Sequence, residues 1–260
     1  MATFHASDGA ELGYDDVGPT GGMPLLLLHG WYGSRTLWEG VREALAGHYR
    51  TIAFDLRGFG KSAGAPGPYT LDAFANDCSD LIAALDLDPL VAIGTGLGAA
   101  VALRFGIDRP DAVEGLVLVS PPPPSGLPLG PAARIALEAT AGSLDLRYAW
   151  LAAQTHEAPL AMQRSALRAA AAVVGPQAAT NSLAAWLDAS FADDAETVST
   201  PTLVVAGAED ALISPELARS RVAGVIPSSR AMTLANAASL VPIDAPRELA
   251  VTIVDFVDEL

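Results

Sequence analysis

Val91-Ala92-Ile93-Gly94-Thr95-Gly96-Leu97-Gly98-Ala99-Ala100 reads as three things in succession: a strand, a tight turn and the opening of a helix. Leu90 to Ile93 is apolar at every position, as expected of a strand covered on both faces of a parallel sheet. Three glycines at alternate positions then permit a sharp turn and close backbone approach, and Leu97 to about Ile107 continues with helical spacing. A buried strand that runs through such a turn straight into a helix is half of a βαβ unit, and the rest of the chain can be arranged around it.

Outward from this stretch the same texture repeats. Pro24 to His29 carries Leu25-Leu26-Leu27-Leu28, Thr51 to Asp55 is a further strand, and Val113 to Val119 another. Ser34 is placed to cap a helix running to about Ala46, and Leu71 to Leu85 predicts a second helix. Thr3 to Ala6 and Glu11 to Val17 flank the turn pair Asp8-Gly9 and form an expected antiparallel edge. Downstream, Thr202 to Ala206 and Arg230 to Leu234 are strands, with helices over Pro215 to about Ala223 and from Asp244 onward. The expected class is α/β, a mostly parallel central sheet with right-handed crossovers and helices on both faces. At Pro121-Pro122-Pro123-Pro124 the texture changes. Ser125 to Thr200 is alanine-rich, helical in spacing at Leu160 to Val174 and Thr180 to Phe191, and without a clear strand. Residues 1–124 and 200–260 are therefore expected to form the core, and 125–199 an inserted helical cap.

Composition narrows the partners. With 260 residues the chain can bury a substantial core, and 15 Lys and Arg against 30 Asp and Glu give a formal charge of −15. That balance argues against nucleic acid or an anionic membrane surface as partner, and no apolar run approaches the ~18 residues of a membrane span. No basic, apolar-cored leader is visible at the start, and the closing Asp258-Glu259-Leu260, superficially like an ER retention tail, lacks the entry signal that would give it meaning. A cytoplasmic location is expected. The single cysteine, Cys78, falls at helical spacing among Phe74, Leu81 and Ile82 and reads as a small buried hydrophobe. No His/Cys cluster points to a metal and no phosphate-cradling loop to a nucleotide, so no cofactor is expected; Gly94, Gly96 and Gly98 have the wrong spacing for a dinucleotide fingerprint.

Three local signatures, each at a strand end and in this order, give the chain a family likeness. They are His29-Gly30-Trp31, Asp55-Leu56-Arg57-Gly58-Phe59-Gly60-Lys61-Ser62, and the elbow Gly94 to Gly98. Together with the order of elements they resemble the α/β-hydrolase fold family over essentially the whole chain. The resemblance implies a nucleophile at the middle of a G-x-S-x-G elbow, an acid after a late strand and a histidine in the last loop. Matched position by position, the nucleophile falls on Gly96, the acid on Asp210 in Gly207-Ala208-Glu209-Asp210, and the histidine on Ser239 in Asn236-Ala237-Ala238-Ser239. Two of the three positions thus depart from the pattern. Thr95 is one residue off the apex, and the four histidines, His5, His29, His48 and His156, all precede the late acid. None is placed to replace the missing base.

The resemblance also implies an oxyanion hole from the backbone N–H groups of Leu97 and Trp31, which need no particular side chain. Held there, a carbonyl oxygen could gain charge, as proton transfer, retro-aldol cleavage, decarboxylation or cyclisation requires. The leading expectation is a cofactor-free lyase, isomerase or cyclase acting on a small apolar carbonyl compound, polyketide-like among the options, with Asp210 as base. Ser239 and His29 are further catalytic candidates, although a histidine in such a loop is more often structural. Gly96, Leu97, Trp31, Tyr32, Trp150 and His156 are candidate substrate contacts. Gly96 reads equally as space opened for substrate or as drift to a residue that tolerates the elbow, and Asp210 also as the cap of a following turn. Two alternatives stay open: a catalytically silent ligand-binding or accessory protein, and an atypical hydrolase.

Overall fold

The computed structural model describes residues 2–87 and 89–260. In chain order the elements are β1 (Ala2–His5), β2 (Glu11–Val17), β3 (Leu25–Leu28), α1 (Glu39–Leu45), β4 (Thr51–Phe54), α2 (Leu71–Leu85), β5 (Leu90–Thr95), α3 (Leu97–Asp108) and β6 (Val113–Val119). There follow α4 (Pro131–Thr140), α5 (Leu144–Ala152), α6 (Ala161–Val173), α7 (Pro176–Leu187) and α8 (Ala192–Ala195). The chain closes with β7 (Thr202–Gly207), α9 (Pro215–Ala218), β8 (Ser229–Leu234), α10 (Val241–Asp244) and α11 (Pro246–Val257).

The strands form an eight-stranded sheet in the order β1-β2-β4-β3-β5-β6-β7-β8. β1 and β2 pair antiparallel at one edge, and every pairing from β4 to β8 is parallel. Parallel neighbours need crossovers, which here are helices on both faces. Consecutive residues of β6 show the two layers, since strand side chains alternate. Gly115 lies against Phe256 and Leu260, and Leu116 against Gly106 of α3. The four leucines of β3 are wholly buried, as a strand between two helical layers demands.

Local chemistry shifts several expected boundaries. Ser34 does not cap a helix: its Oγ pairs with Thr36 Oγ1 at 2.8 Å, and a 3₁₀ turn over Arg35–Trp38 precedes α1. The free amide of Arg35 is taken instead by the Asp55 carboxylate at 2.7 Å, so no serine oxygen is needed there. The last helix begins at Pro246, not Asp244, which ends the short α10. Asp244 is occupied elsewhere, accepting the backbone N–H of His156 at 3.0 Å and of Ala238 at 2.9 Å. Arg57 braces loops from within, donating to both oxygens of buried Asp77 at 2.7 and 2.5 Å and to Asp8 at 2.8 Å. Cys78 is fully buried, and burial pushes its thiol pKa well up. Five helices, α4 to α8, stand between β6 and β7, and α4 and α7 hydrogen-bond side chains of the loop that follows β3. Among the described residues, no helix is long and apolar enough to cross a membrane.

Candidate active site

The turn after β5 is a true elbow. Gly96 sits at φ 55°, ψ −115°, a conformation side-chain-bearing residues rarely hold. Its two flanking glycines are needed for a different reason. A Cβ on Gly94 would stand 2.0 Å from the carbonyl oxygen of Gly98, and one on Gly98 would stand 2.3 Å from that of Leu28. A Cβ on Gly96 would meet only the Gly30 Cα, at 3.9 Å. The turn is therefore tight below and open at its apex, and the apex bears no reacting atom. Leu97 opens α3, so its amide belongs to the first turn and has no acceptor within the helix. The positive end of the helix dipole lies at the same point.

The loop after β3 is fixed by His29. Nδ1 lies 2.8 Å from the Gly30 carbonyl oxygen and Nε2 accepts the Leu56 amide at 3.1 Å, which sets the tautomer with the proton on Nδ1. Burial, outweighing the nearby Asp55 carboxylate, holds its pKa below the ordinary value and keeps the ring neutral. With both nitrogens committed to backbone, His29 braces the loop and has no free atom to offer a substrate, so a catalytic part for it finds no support in the geometry. Trp31 and Tyr32 follow, with rings stacked at 3.9 Å. Trp150 stands edge-on to Trp31 at 5.1 Å, and Trp186 lies 6.0 Å from Trp31. Three of these rings are almost entirely buried, and Trp150 partly so. The candidate substrate contacts Trp31, Tyr32 and Trp150 thus pack first on one another.

At the other end of the site, the loop after β8 folds back onto the end of β7. Glu209 donates its amide to the Ala237 carbonyl at 2.9 Å, and a Cβ on Gly207 would strike the carbonyl oxygens of Ala237 and Ala238. This close approach carries Ser239 to Asp210, where its hydroxyl donates to Oδ1 at 2.5 Å. Oδ1 also accepts the amides of Leu212 at 2.9 Å and Ile213 at 2.7 Å, so Asp210 does cap the following turn. Oδ2 is buried and has no hydrogen-bond partner among the described residues. His156 is drawn to this end of the sheet but to a neighbour of the acid: Nδ1 lies 2.8 Å from Glu209 Oε2. The carboxylate raises the His156 pKa. His156 also borders an open groove of about 470 Å³ with Leu160, Gln163, Asn236 and Asp244.

One residue at this edge went unread in the sequence. Ser120, the first residue past β6, has φ 45° and a buried Oγ with no hydrogen-bond partner among the described residues. The preceding carbonyl, Val119, accepts the Gly96 amide at 3.0 Å, which ties Ser120 to the elbow across the C-terminal ends of the adjacent strands β5 and β6. The signal available was a hydroxyl directly after the apolar run Leu116 to Val119, at the strand end next to β5. Among the described residues, no group of three or more His, Cys, Asp or Glu side chains could hold a metal ion.

A family model described as alpha/beta hydrolase fold matches residues 23–246. An uncharacterized protein of Mycobacterium tuberculosis is 38% identical over 99 residues, which is 38% of this chain but only 29% of that protein. The chain thus spans less than a third of the length of that relative. A Klebsiella pneumoniae protein named as a provisional carbamate hydrolase, RutD, is 29% identical over 225 residues, covering 82% of this chain and 83% of its own length. Among solved structures, a thermophilic esterase from Thermogutta terrifontis, with malate bound, superposes with a TM-score of 0.81 at 28% identity, over 98% of this chain and 96% of that one.

Proposed function

Because the chain belongs to the α/β-hydrolase fold family, we propose that the family's triad positions fall here on Gly96, Asp210 and Ser239 and that the protein is a cofactor-independent enzyme that moves protons on a small apolar carbonyl compound. On this reading it is a lyase, isomerase or cyclase that has lost the hydrolytic nucleophile and base. The observation that carries it is the Asp210 carboxylate. One oxygen is saturated by three donors, while the other is buried and bare. Leaving a buried polar atom unmade costs about 1–3 kcal/mol, so a fold that keeps one at its family's acid position has a use for it. Strain supports the same view. Tyr32 at φ 59°, Ser120 at 45° and Asn236 at 54° hold unfavourable backbone in the loops after β3, β6 and β8.

The common first step needs only these parts. Asp210 Oδ2 takes a proton from the carbon beside the substrate carbonyl, the C–H electron pair becomes the new C=C bond, and the carbonyl oxygen becomes an enolate. The amides of Leu97 and Trp31 hold that charge, each such donor being worth about 3 kcal/mol in a transition state. Return of the proton to another carbon is isomerisation, and attack of the enolate on an electrophile within the same molecule is cyclisation. The open space over Gly96 gives the substrate room where a serine side chain would stand.

Proton NMR in deuterium oxide with a panel of apolar enolisable ketones and 1,3-diketones tests this. Catalysed deuterium uptake beside the carbonyl is expected, with loss of about 10²–10⁴-fold in Asp210→Asn, while 4-nitrophenyl esters stay near the uncatalysed rate. Uptake untouched by Asp210→Asn, or ester turnover like that of an intact triad, would overturn the proposal. The four packed aromatic rings favour a second reading, a ligand-binding protein without turnover. Tight binding of the same ketones with no exchange at any of them would select it.

A further inference from the structure

The loop that carries the Trp31 amide is braced at its start by His29, but the residue after Trp31 is held from elsewhere in the chain. Tyr32 is wholly buried yet left-handed at φ 59°, a conformation that an aromatic residue keeps only when its surroundings over-determine it. Its anchors lie more than a hundred residues away, in the helices between β6 and β7. Thr140 at the end of α4 donates its hydroxyl to the Leu137 carbonyl at 2.6 Å, so the 2.9 Å contact between Tyr32 and Thr140 has the tyrosine hydroxyl as donor. Arg147 of α5 places its guanidinium 5.3 Å from the centre of the Tyr32 ring. That guanidinium is itself buried and is held by carbonyls from two helix ends: Thr140 and Ala141 at the end of α4, Ala171 and Val174 at the end of α6. The neighbouring Trp31 is tied in the same way, its Nε1 donating to Ser182 Oγ at 3.1 Å and to the Ala179 carbonyl at 3.2 Å on α7.

We infer that Tyr32 is the positioning residue of the anion-binding loop and that α4, α5 and α7 assemble this loop by gripping Tyr32 and Trp31. The loop and the helical insertion then order and loosen as one unit. A substrate that enters by displacing the insertion disassembles the anion-binding loop, and closure over the substrate rebuilds it. The consequence for catalysis rests on the proton-transfer reading above, whereas the mechanical link stands without it.

Amide hydrogen exchange followed by mass spectrometry tests the link without any ligand. Thr140→Val keeps the volume and removes the acceptor; Thr140→Ser restores it; Tyr32→Phe removes the donor and leaves Thr140 still bonded to Leu137. Amides of residues 29–36 are expected to exchange about fivefold faster in Thr140→Val and Tyr32→Phe, the change that one lost hydrogen bond gives. Exchange should rise in parallel in residues 137–150, return to the wild-type rate in Thr140→Ser, and stay unchanged in residues 90–95. Tryptophan emission should shift to the red in the same two variants, since Trp31, Trp150 and Trp186 share one cluster. The inference fails if residues 29–36 keep their wild-type exchange while residues 137–150 speed up, or if Thr140→Ser behaves like Thr140→Val. Neither result bears on whether ketones are turned over, so the link and the proposed reaction stand or fall separately.

Discussion

A methyl group on Gly94 would lie 2.0 Å from a backbone oxygen, whereas at the opposite end of the site Asp210 Oδ2 accepts no hydrogen bond from any described residue. The elbow is built without slack around an apex that carries no side chain. The acid end has its side chains in place and leaves one of them unfinished. The difference separates scaffold from chemistry: the backbone that would hold an oxyanion is enforced by sterics, while the groups that would move a proton are not.

The sharpest way to break this comparison lies within the elbow. Gly94→Ala should cost about 4 kcal/mol or prevent folding, because the contact is with backbone that cannot move aside. Gly96→Ala adds only strain at φ 55° and should cost about 1–2 kcal/mol. Urea midpoints measure both. Equal losses would mean that the apex glycine is as sterically compelled as its neighbours, and its emptiness would then say nothing about function.

A rebuilt triad comes next in size. Gly96→Ser combined with Ser239→His supplies a hydroxyl with room above it and an imidazole at a position whose side chain already meets the Asp210 carboxylate. An intact Ser-His pair is worth on the order of a million-fold in turnover, and with imperfect geometry about a hundredfold gain over the wild-type protein on 4-nitrophenyl acetate is expected. Each single variant should gain almost nothing, because the pair acts as a unit. A stable but silent double variant would show that the two ends no longer face each other as a hydrolase requires.

The strands of the core were readable because each is a short apolar run ended by a turn signal, and Leu25 to Leu28 can be little else. The elbow was readable for a related reason: Gly94 and Gly98 are local consequences of a local turn. What stayed hidden was set by distant contacts. Nothing near Ser34 announces that Asp55 will take the Arg35 amide, nothing near Tyr32 announces Thr140, and α5 lies in an alanine-rich stretch where it buries only Arg147 and Leu151 and shows little helical period. The bare oxygen of Asp210 and the orphan hydroxyl of Ser120 are likewise properties of packing. A sequence shows that a carboxylate or a hydroxyl is present, but not what bonds to it.

The acid end can be loosened more gently. Ser239→Ala removes a 2.5 Å bond to a carboxylate whose Oδ1 keeps two amide donors. A loss of about 1.5 kcal/mol is expected by urea denaturation. Loss of deuterium uptake beyond that proportion would make Ser239 a participant in the proton transfer; unchanged uptake would make it a support for Asp210.

The smallest effect concerns His156, where the helical insertion meets this end of the sheet. The Glu209 carboxylate at 2.8 Å raises its pKa above the ordinary 6.5, and Glu157 and the Asp244 carboxylate add to the same direction. A histidine whose pKa is higher folded than unfolded contributes stability that is complete below about 6.5 and fades as pH rises through the raised folded value. Hydrogen exchange of residues 154–158 should therefore be slower than in Glu209→Gln at about pH 6 and indistinguishable from it by about pH 9, after correction for the intrinsic rate. The ring is partly exposed, so the difference should also shrink in salt. A difference that persisted at high pH would mean that the neutral hydrogen bond, not the charge, holds the insertion to Glu209. In that case the acid end would be as indifferent to protonation as the elbow.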